Sequence, residues 1–292
     1  MKVLLLDSCG QTGVALESAM AGREPAIDLT SIHGESMIAK PEAALAQIAE
    51  GQFDFVINCS TFEQADLSRE LHPKHIPFIE SLVDQCTRCN VRLIHISSSR
   101  VFAGLRKAGY VEEEQAQPST ALGKDLLKLE QRVLQASENN LVLRVGWLFG
   151  QKGHGAFDEL IHTLIRGGDV YFQAESVRAP TPASDFARVL TAMLLQLYYG
   201  AQCEGIYHYG SSEVTSSREF VEIVVGLAEQ YGHIDAAALN LVEVDDPDQY
   251  DLPSYPILSC NRIREHFGVM QRPWRSALTA IMRQYFQENP TE

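Results

Sequence analysis

Three groups of residues in this chain of 292 have the types and spacing to do chemistry. The first is the turn Asp7-Ser8-Cys9-Gly10-Gln11-Thr12-Gly13, which follows the apolar run Val3–Leu6 and opens a helical pattern. A strand-to-helix turn with glycines aims backbone N–H groups and the positive end of a helix dipole at one point, which suits the pyrophosphate of a dinucleotide. The second is Ser98 followed by Arg100, at the end of another apolar run. A hydroxyl there can share a proton, and a guanidinium can grip phosphate in two places. The third is the pair Cys86 and Cys89, in the spacing of a redox or zinc motif.

The cysteine pair reads as structural. The residues before it, Phe78–Gln85, have helical spacing, and no second cysteine or histidine pair follows at zinc-ligand distance. Six cysteines scattered through the chain lack the density of a disulfide scaffold, so reduced thiols in a cytoplasm are expected. The opening Met1–Leu6 is interrupted by Asp7 before a signal core forms, and no later run is apolar enough to span a bilayer. A formal charge of -14 and a pI near 5.1 argue against nucleic acid or an anionic membrane as partner. No metal-binding constellation emerges, and His154, between Gly153 and Gly155, reads as an incidental loop residue.

These residues need a scaffold. Apolar runs at Val3–Leu6, Phe53–Asn58, Val91–Ser97 and Leu141–Trp147 alternate with helical patterns from about Gly13, around Ile76–Cys89 and from about Gly123. That alternation predicts an α/β fold of the Rossmann type, a doubly wound parallel sheet with helices on both faces. A shorter strand is expected at Pro25–Asp28, which would place Asp28 after the strand, where an acid accepts hydrogen bonds from an adenosine ribose. Beyond Gly150 we expect helices at Phe157–Arg166, Ala183–Tyr199, Ser217–Tyr231 and Trp274–Phe286, a strand at Gly205–Tyr209, and an acidic linker at Glu243–Asp251. Residues 1–150 thus form a nucleotide-binding lobe and residues 151–292 a smaller substrate lobe, with the chain crossing between them.

Several short blocks then fall in order along nearly the whole chain. Val56-Ile57-Asn58-Cys59-Ser60 resembles VINAAA, the loop that lines the cofactor. His95–Gly104 resembles HISTDYVFDG, with Arg100 standing for the tyrosine, and Leu143–Gly150 resembles LRTSWVYG. Arg178–Ala187 is similar to GSPTYAEDLA, Gly205–Tyr209 to GIYHLAG, and Pro256–Ile263 to RPxxSxLDxxKL. Together they are similar to the extended short-chain dehydrogenases of the dTDP-4-dehydrorhamnose reductase-like, sugar nucleotide-binding family.

The resemblance implies a tyrosine whose pKa is lowered by a lysine four residues on, with a Ser or Thr hydroxyl beside them. It places the hydroxyl at Ser98, the tyrosine at Leu122 and the lysine at Leu126. Two leucines move no proton, and spaced by four on a helix they form an apolar stripe. Lys124 and Lys128 point roughly 200° away from Leu126 on a helix of 3.6 residues per turn, and the loop tyrosine Tyr110 has no activating cation nearby in sequence. His75 stands near the family's supporting helix asparagine. The expectation is a packed apolar patch, with Ser98 left beside it without a partner.

For ligands, the resemblance implies NAD or NADP held by Gly10, Gln11, Thr12, Gly13, Asp28, Cys59 and Ser60. The family pattern GxxGxxG reads DxxGxxG here, and the carboxylate of Asp7 lowers affinity for a doubly charged pyrophosphate. Arg100, Trp147 and Arg178 are the candidate substrate-binding residues, for a nucleotide or nucleotide sugar. The leading reading is a catalytically degenerate relative that binds a nucleotide, a protein partner or a second copy of itself in a regulatory role. The alternatives are an active NAD(P)-dependent reductase of a keto sugar nucleotide with a rearranged site, and a scaffold that binds no ligand.

Overall fold

In the computed structural model the apolar runs pair into one six-stranded sheet, and the structure describes residues 1–23, 26–67, 70–150, 155–173, 176–232, 234–244 and 254–289. Its strands are β1 (Lys2–Leu6), β2 (Asp28–Ile32), β3 (Phe55–Asn58), β4 (Arg92–Ser98), β5 (Leu141–Val145) and β10 (Gly205–Tyr209), in spatial order β10-β5-β4-β3-β1-β2. Every pairing is parallel. The strands read as continuous apolar runs because both faces are covered, and the period of two divides each strand between two cores. Val3, Leu5, Phe55, Ile57, Ile94 and Ile96 face a cluster built with α1 (Gln11–Met20) and α8 (Ala183–Tyr198). Leu4, Leu6, Val56 and Leu93 face the other, built with α3 (Pro41–Gly51), α5 (His75–Arg88) and α6 (Ala121–Ala136).

Two short helices enter where sequence periodicity gave no signal, α2 (Gly34–Ala39) and α4 (Ser60–Leu67). The remaining chain gathers a further packed region about its own apolar cluster. Here α7 (Ala156–Arg166) and α9 (Ser217–Gly232) pack with the parallel pair β7 (Gly168–Gln173) and β12 (Leu239–Val244). Short pairs join β6 (Leu148–Phe149) to β9 (Thr181–Pro182) and β8 (Val177–Arg178) to β11 (Thr215–Ser216). The region's own apolar cluster includes Phe149, Phe157, Phe220, Trp274 and Phe286. Helices α10 (Asn261–Phe267) and α11 (Arg275–Glu288) complete the chain. The sixth sheet strand, β10, comes from residues beyond 150 and pairs with β5, so the chain returns to the sheet late in its course. His154 and residues 245–251 of the acidic stretch lie outside the described residues.

One correction concerns the second strand. It spans Asp28–Ile32 rather than ending at Asp28, pairing with β1 from Lys2 opposite Asp28 to Leu6 opposite Ile32, with Leu29 and Ile32 packed into the two cores. Asp28 therefore opens β2, opposite Lys2 at the amino ends of the strands, while the glycine turn lies beyond their carboxyl ends. The ribose role expected of Asp28 falls with that placement.

The heart of the sheet carries a charged pair. Arg144 on β5 donates Nη2–H to Glu130 on α6 at 2.7 Å and Nε–H to both carboxylate oxygens at 3.0 and 3.1 Å. Ser97 of β4 donates its hydroxyl to the same carboxylate at 2.5 Å, and the Arg144 guanidinium lies 5.1 Å from the Phe102 ring. Both charges are essentially sealed from solvent. Glu130→Ala strands a buried guanidinium and is expected to cost ~3–5 kcal/mol, read as a lower midpoint in urea unfolding. A loss below about 1 kcal/mol would show that α6 is held by apolar packing alone.

Candidate functional site

The sheet reverses its winding between β1 and β3, and in doubly wound folds ligands bind outside the carboxyl ends of the strands at such a point. The turn after β1 and the loop after β3 meet there: the N–H of Cys59 donates to the Leu6 carbonyl at 3.1 Å. Asp7 adopts φ 66°, a left-handed conformation that favours glycine and costs an aspartate strain. The carboxylate of Asp7 accepts the Cys9 thiol at 3.0 Å and stands where a Cβ on Gly34 would collide with it. Gly13 lets α1 pass against the backbone of Asp7 and Ser8, where any Cβ would collide. Gln11 donates its amide to the Leu148 carbonyl at 3.3 Å, tying the turn to β6.

The space above Gly10 is filled. A Cβ built on Gly10 would collide with the carboxyl group of Glu63, from α4. That carboxylate is buried and accepts the backbone N–H of Thr12, in the first turn of α1, at 2.7 Å. Beside it, burial raises the Cys59 thiol well above its ordinary 9.0, and the carboxylates of Glu63 and Asp7 push in the same direction. Glu63 was not among the residues singled out from sequence. No local pattern in the sequence marks it, because its contact with Thr12 spans 51 positions.

Below this lies a buried polar chain. The Asn58 carbonyl oxygen accepts the N–H of Ser60 at 3.2 Å and its hydroxyl at 2.6 Å, while the Asn58 amide donates to His95 Nδ1 at 2.9 Å and to Thr61 at 3.2 Å. The Thr61 hydroxyl lies 3.1 Å from His75 Nε2. Burial lowers His75 from 6.5 to about 4, with help from His72, and lowers His95 to about 3, with help from His75.

Beside the end of β4 lies a cavity of about 360 Å³, towards the lower end of the range for small-molecule sites. It brings together Ser98, expected as the retained catalytic hydroxyl, with Arg100, Trp147 and Arg178, expected to bind substrate, and adds the aromatic walls Tyr171 and Phe220. Trp147 packs edge-on against Phe220 at 4.6 Å between ring centroids. None of Gly10, Gln11, Thr12, Gly13, Cys59 and Ser60 lines this space.

Leu122 and Leu126 are fully buried in the apolar cluster with Val101, Phe102, Phe78 and Leu82. They are held by the first turns of α6, whose N-cap Thr120 accepts the N–H of Gly123 at 2.9 Å. Ser98 is not left alone: its hydroxyl accepts the N–H of Arg100 at 3.3 Å and caps the short 3₁₀ turn Ser99–Val101. Lys124 and Lys128 face solvent, Lys128 pairing with Asp125 at 3.1 Å. The Tyr110 hydroxyl accepts the N–H of Leu105 at 3.1 Å, and its ring stacks on Phe102, away from the cavity lining. Cys86 is buried within α5, and burial pushes its thiol up to about 12, as suits a packing residue. Among the described residues no group of three or more His, Cys, Asp or Glu is arranged to hold a metal, and no helix is long and apolar enough to cross a membrane.

With this geometry established, comparison with known proteins is direct. Residues 1–287 match the RmlD substrate binding domain family. The chain belongs to that family. These are extended short-chain dehydrogenases resembling dTDP-4-dehydrorhamnose reductase. Similar RmlD-family relatives include the spore coat polysaccharide biosynthesis protein SpsK of Bacillus subtilis (strain 168), 24% identical over 98% of this chain and 97% of that one. The dTDP-4-dehydrorhamnose reductase of Aggregatibacter actinomycetemcomitans is 23% identical over 96% and 98%. Among solved structures, the dTDP-4-dehydrorhamnose reductase of Bacillus anthracis str. Ames in complex with NADP superposes with a TM-score of 0.76 at 20% identity, covering 99% of both chains.

The depressed histidines, His75 and His95 among them, set a pH dependence. An unfolded chain takes up protons at the ordinary histidine value of 6.5, whereas the folded chain refuses them until about 4 at His75 and about 3 at His95. Their contribution to stability is therefore complete above pH 6.5 and is lost as pH falls from there through 4 to 3. The thermal midpoint should drop steadily between pH 6.5 and 4, and less steeply in His75→Gln; an equal slope in both proteins would show that His75 is not one of the groups responsible.

Proposed function

We propose that this chain is a catalytically degenerate member of its family, which binds a nucleotide of the nucleotide-sugar type between its lobes and acts in a regulatory role, through a protein partner or a second copy. The observation that carries this reading is the burial of Leu122 and Leu126. Reduction of a carbonyl needs a proton delivered to its oxygen as hydride arrives, and a positioned general acid is worth about 10²–10⁴ in rate. The two leucines have no proton to give, and their side chains are part of a closed apolar core. A lysine or tyrosine placed there would need its own polar partners in a cluster made of apolar side chains.

The ligand side of the reading rests on the cavity. Arg100 and Arg178 approach it from the first and second lobes, and guanidinium groups bind phosphate by charge-assisted, two-pronged hydrogen bonds. The rings of Trp147, Tyr171 and Phe220 offer faces and edges against which a base can pack. The residues at the glycine turn do not fit a dinucleotide as they stand, because the Glu63 carboxylate already takes the Thr12 N–H. No reaction step is therefore assigned to NAD or NADP here.

The competing reading, an active reductase with a rearranged site, is favoured by the persistence of the cavity beside Ser98. The two are separated by mixing the purified chain with NADH or NADPH and dTDP-linked 4-keto sugars. Cofactor oxidation is expected to stay at background; turnover abolished by Ser98→Ala would overturn the degenerate reading. In calorimetry, dTDP or a dTDP-sugar should bind, and Arg178→Ala should weaken binding by about tenfold, in line with the loss of a charge-assisted hydrogen bond. If the wild-type chain binds neither, a scaffold without ligand is the better description.

A further inference from the structure

We infer that Glu63 acts as a built-in anion that occupies the phosphate place of the glycine turn, so that this chain selects against dinucleotides while leaving the cavity between the lobes open. The inference goes beyond the reading above, which concerns the leucines and the cavity.

Three observations support it. The Glu63 carboxylate sits on Gly10 so closely that a Cβ there would collide with it, so the space freed by the missing side chain is filled by the protein's own acid. The same carboxylate accepts the Thr12 N–H at 2.7 Å, a donor in the first turn of α1 that would otherwise face an incoming anion. The site is also buried: Glu63 is only 4% exposed and Thr12 fully enclosed, with the Thr12 hydroxyl lacking a hydrogen-bond partner among the described residues. A negative charge fixed in so sheltered a place repels a pyrophosphate far more strongly than a surface carboxylate would. Asp7 adds a second negative group at the mouth of the same turn. Gly10 and Gly13 thus keep the shape of an anion site while its charge is already supplied from within.

The charge and the volume of Glu63 act separately, and two substitutions divide them. Glu63→Gln keeps the shape and removes the charge; Glu63→Ala removes both and exposes the Thr12 N–H. NADH and NADPH are titrated into the purified full-length proteins at fixed ionic strength, followed by cofactor fluorescence, with thermal unfolding confirming that each variant is folded. Wild type should bind either cofactor weakly, Glu63→Gln at least about tenfold more tightly, and Glu63→Ala more tightly still. Raising salt should narrow the gap only slightly, since buried charges are poorly screened. Should Glu63→Ala fail to fold, the glutamine variant decides alone. Folded variants that bind no better than wild type would overturn the inference, as would wild-type binding already as tight as theirs.

Binding of dTDP by the same proteins serves as the control, because Glu63 does not line the cavity. Unchanged dTDP binding beside a gain for NADPH supports the inference. Failure of dTDP to bind any of the proteins would count against the proposed ligand alone and leave the cofactor comparison standing.

Discussion

The buried pair of Glu130 and Arg144 is the constraint on which the rest of this structure hangs. It joins α6 to β5, takes a hydroxyl proton donor from β4, and lies 3.3 Å from His208 on β10. Four elements, α6, β5, β4 and β10, are thereby joined through one ion pair. Charges sealed in a low-dielectric interior are stable only as a matched set, so α6 cannot slide or turn without separating them. The orientation of α6 in turn decides what faces inward. With Glu130 held, Leu126 and Leu122 stand one and two turns earlier on the same helix, and they fill the core beside Phe102 and Phe78.

The same helix carries a buried polar layer and an aliphatic layer on one framework. An ordinary reductase site is a polar island that must be supported at several points by charge and hydrogen bonds. Here the polar support remains in the deeper layer, at Glu130, Arg144 and Ser97, and the layer above it is aliphatic. Ser98 is held in a backbone-capping bond instead of facing an acid and a lysine. The neighbouring chain His95–Asn58–Thr61–His75 is likewise buried, with both imidazoles kept neutral by burial.

Much of this was legible in the sequence, and the reasons differ by element. The strands declared themselves because burial on both faces demands unbroken apolar runs, and long helices such as α5 and α6 carried strong amphipathic periodicity. The second strand did not. DLTSI is only partly buried at the sheet edge, and its weak alternation allowed the strand to be placed too early, which misassigned Asp28. Helices α2 and α4 were missed because six and eight residues are too short for periodicity to register, and the eleven-residue α3 was missed as well. The leucine pair was visible through the family resemblance, and its burial agrees with the apolar stripe read from the spacing. Glu63 was not visible, because its role comes from a contact across 51 positions that no local pattern encodes.

The aromatic wall of the cavity has an optical consequence. The chain contains two tryptophans, and both lie against one ring: Trp147 is 4.6 Å from Phe220 and Trp274 5.3 Å from it. Trp147 lines the cavity, whereas Trp274 is wholly enclosed and its indole N–H meets no acceptor among the described residues. One indole therefore emits from a wall that a ligand would touch and the other from an apolar interior, so the two should differ in colour and in quenching by small solutes. The native protein carries its own two-channel light source, one channel for the cavity and one for the core behind it.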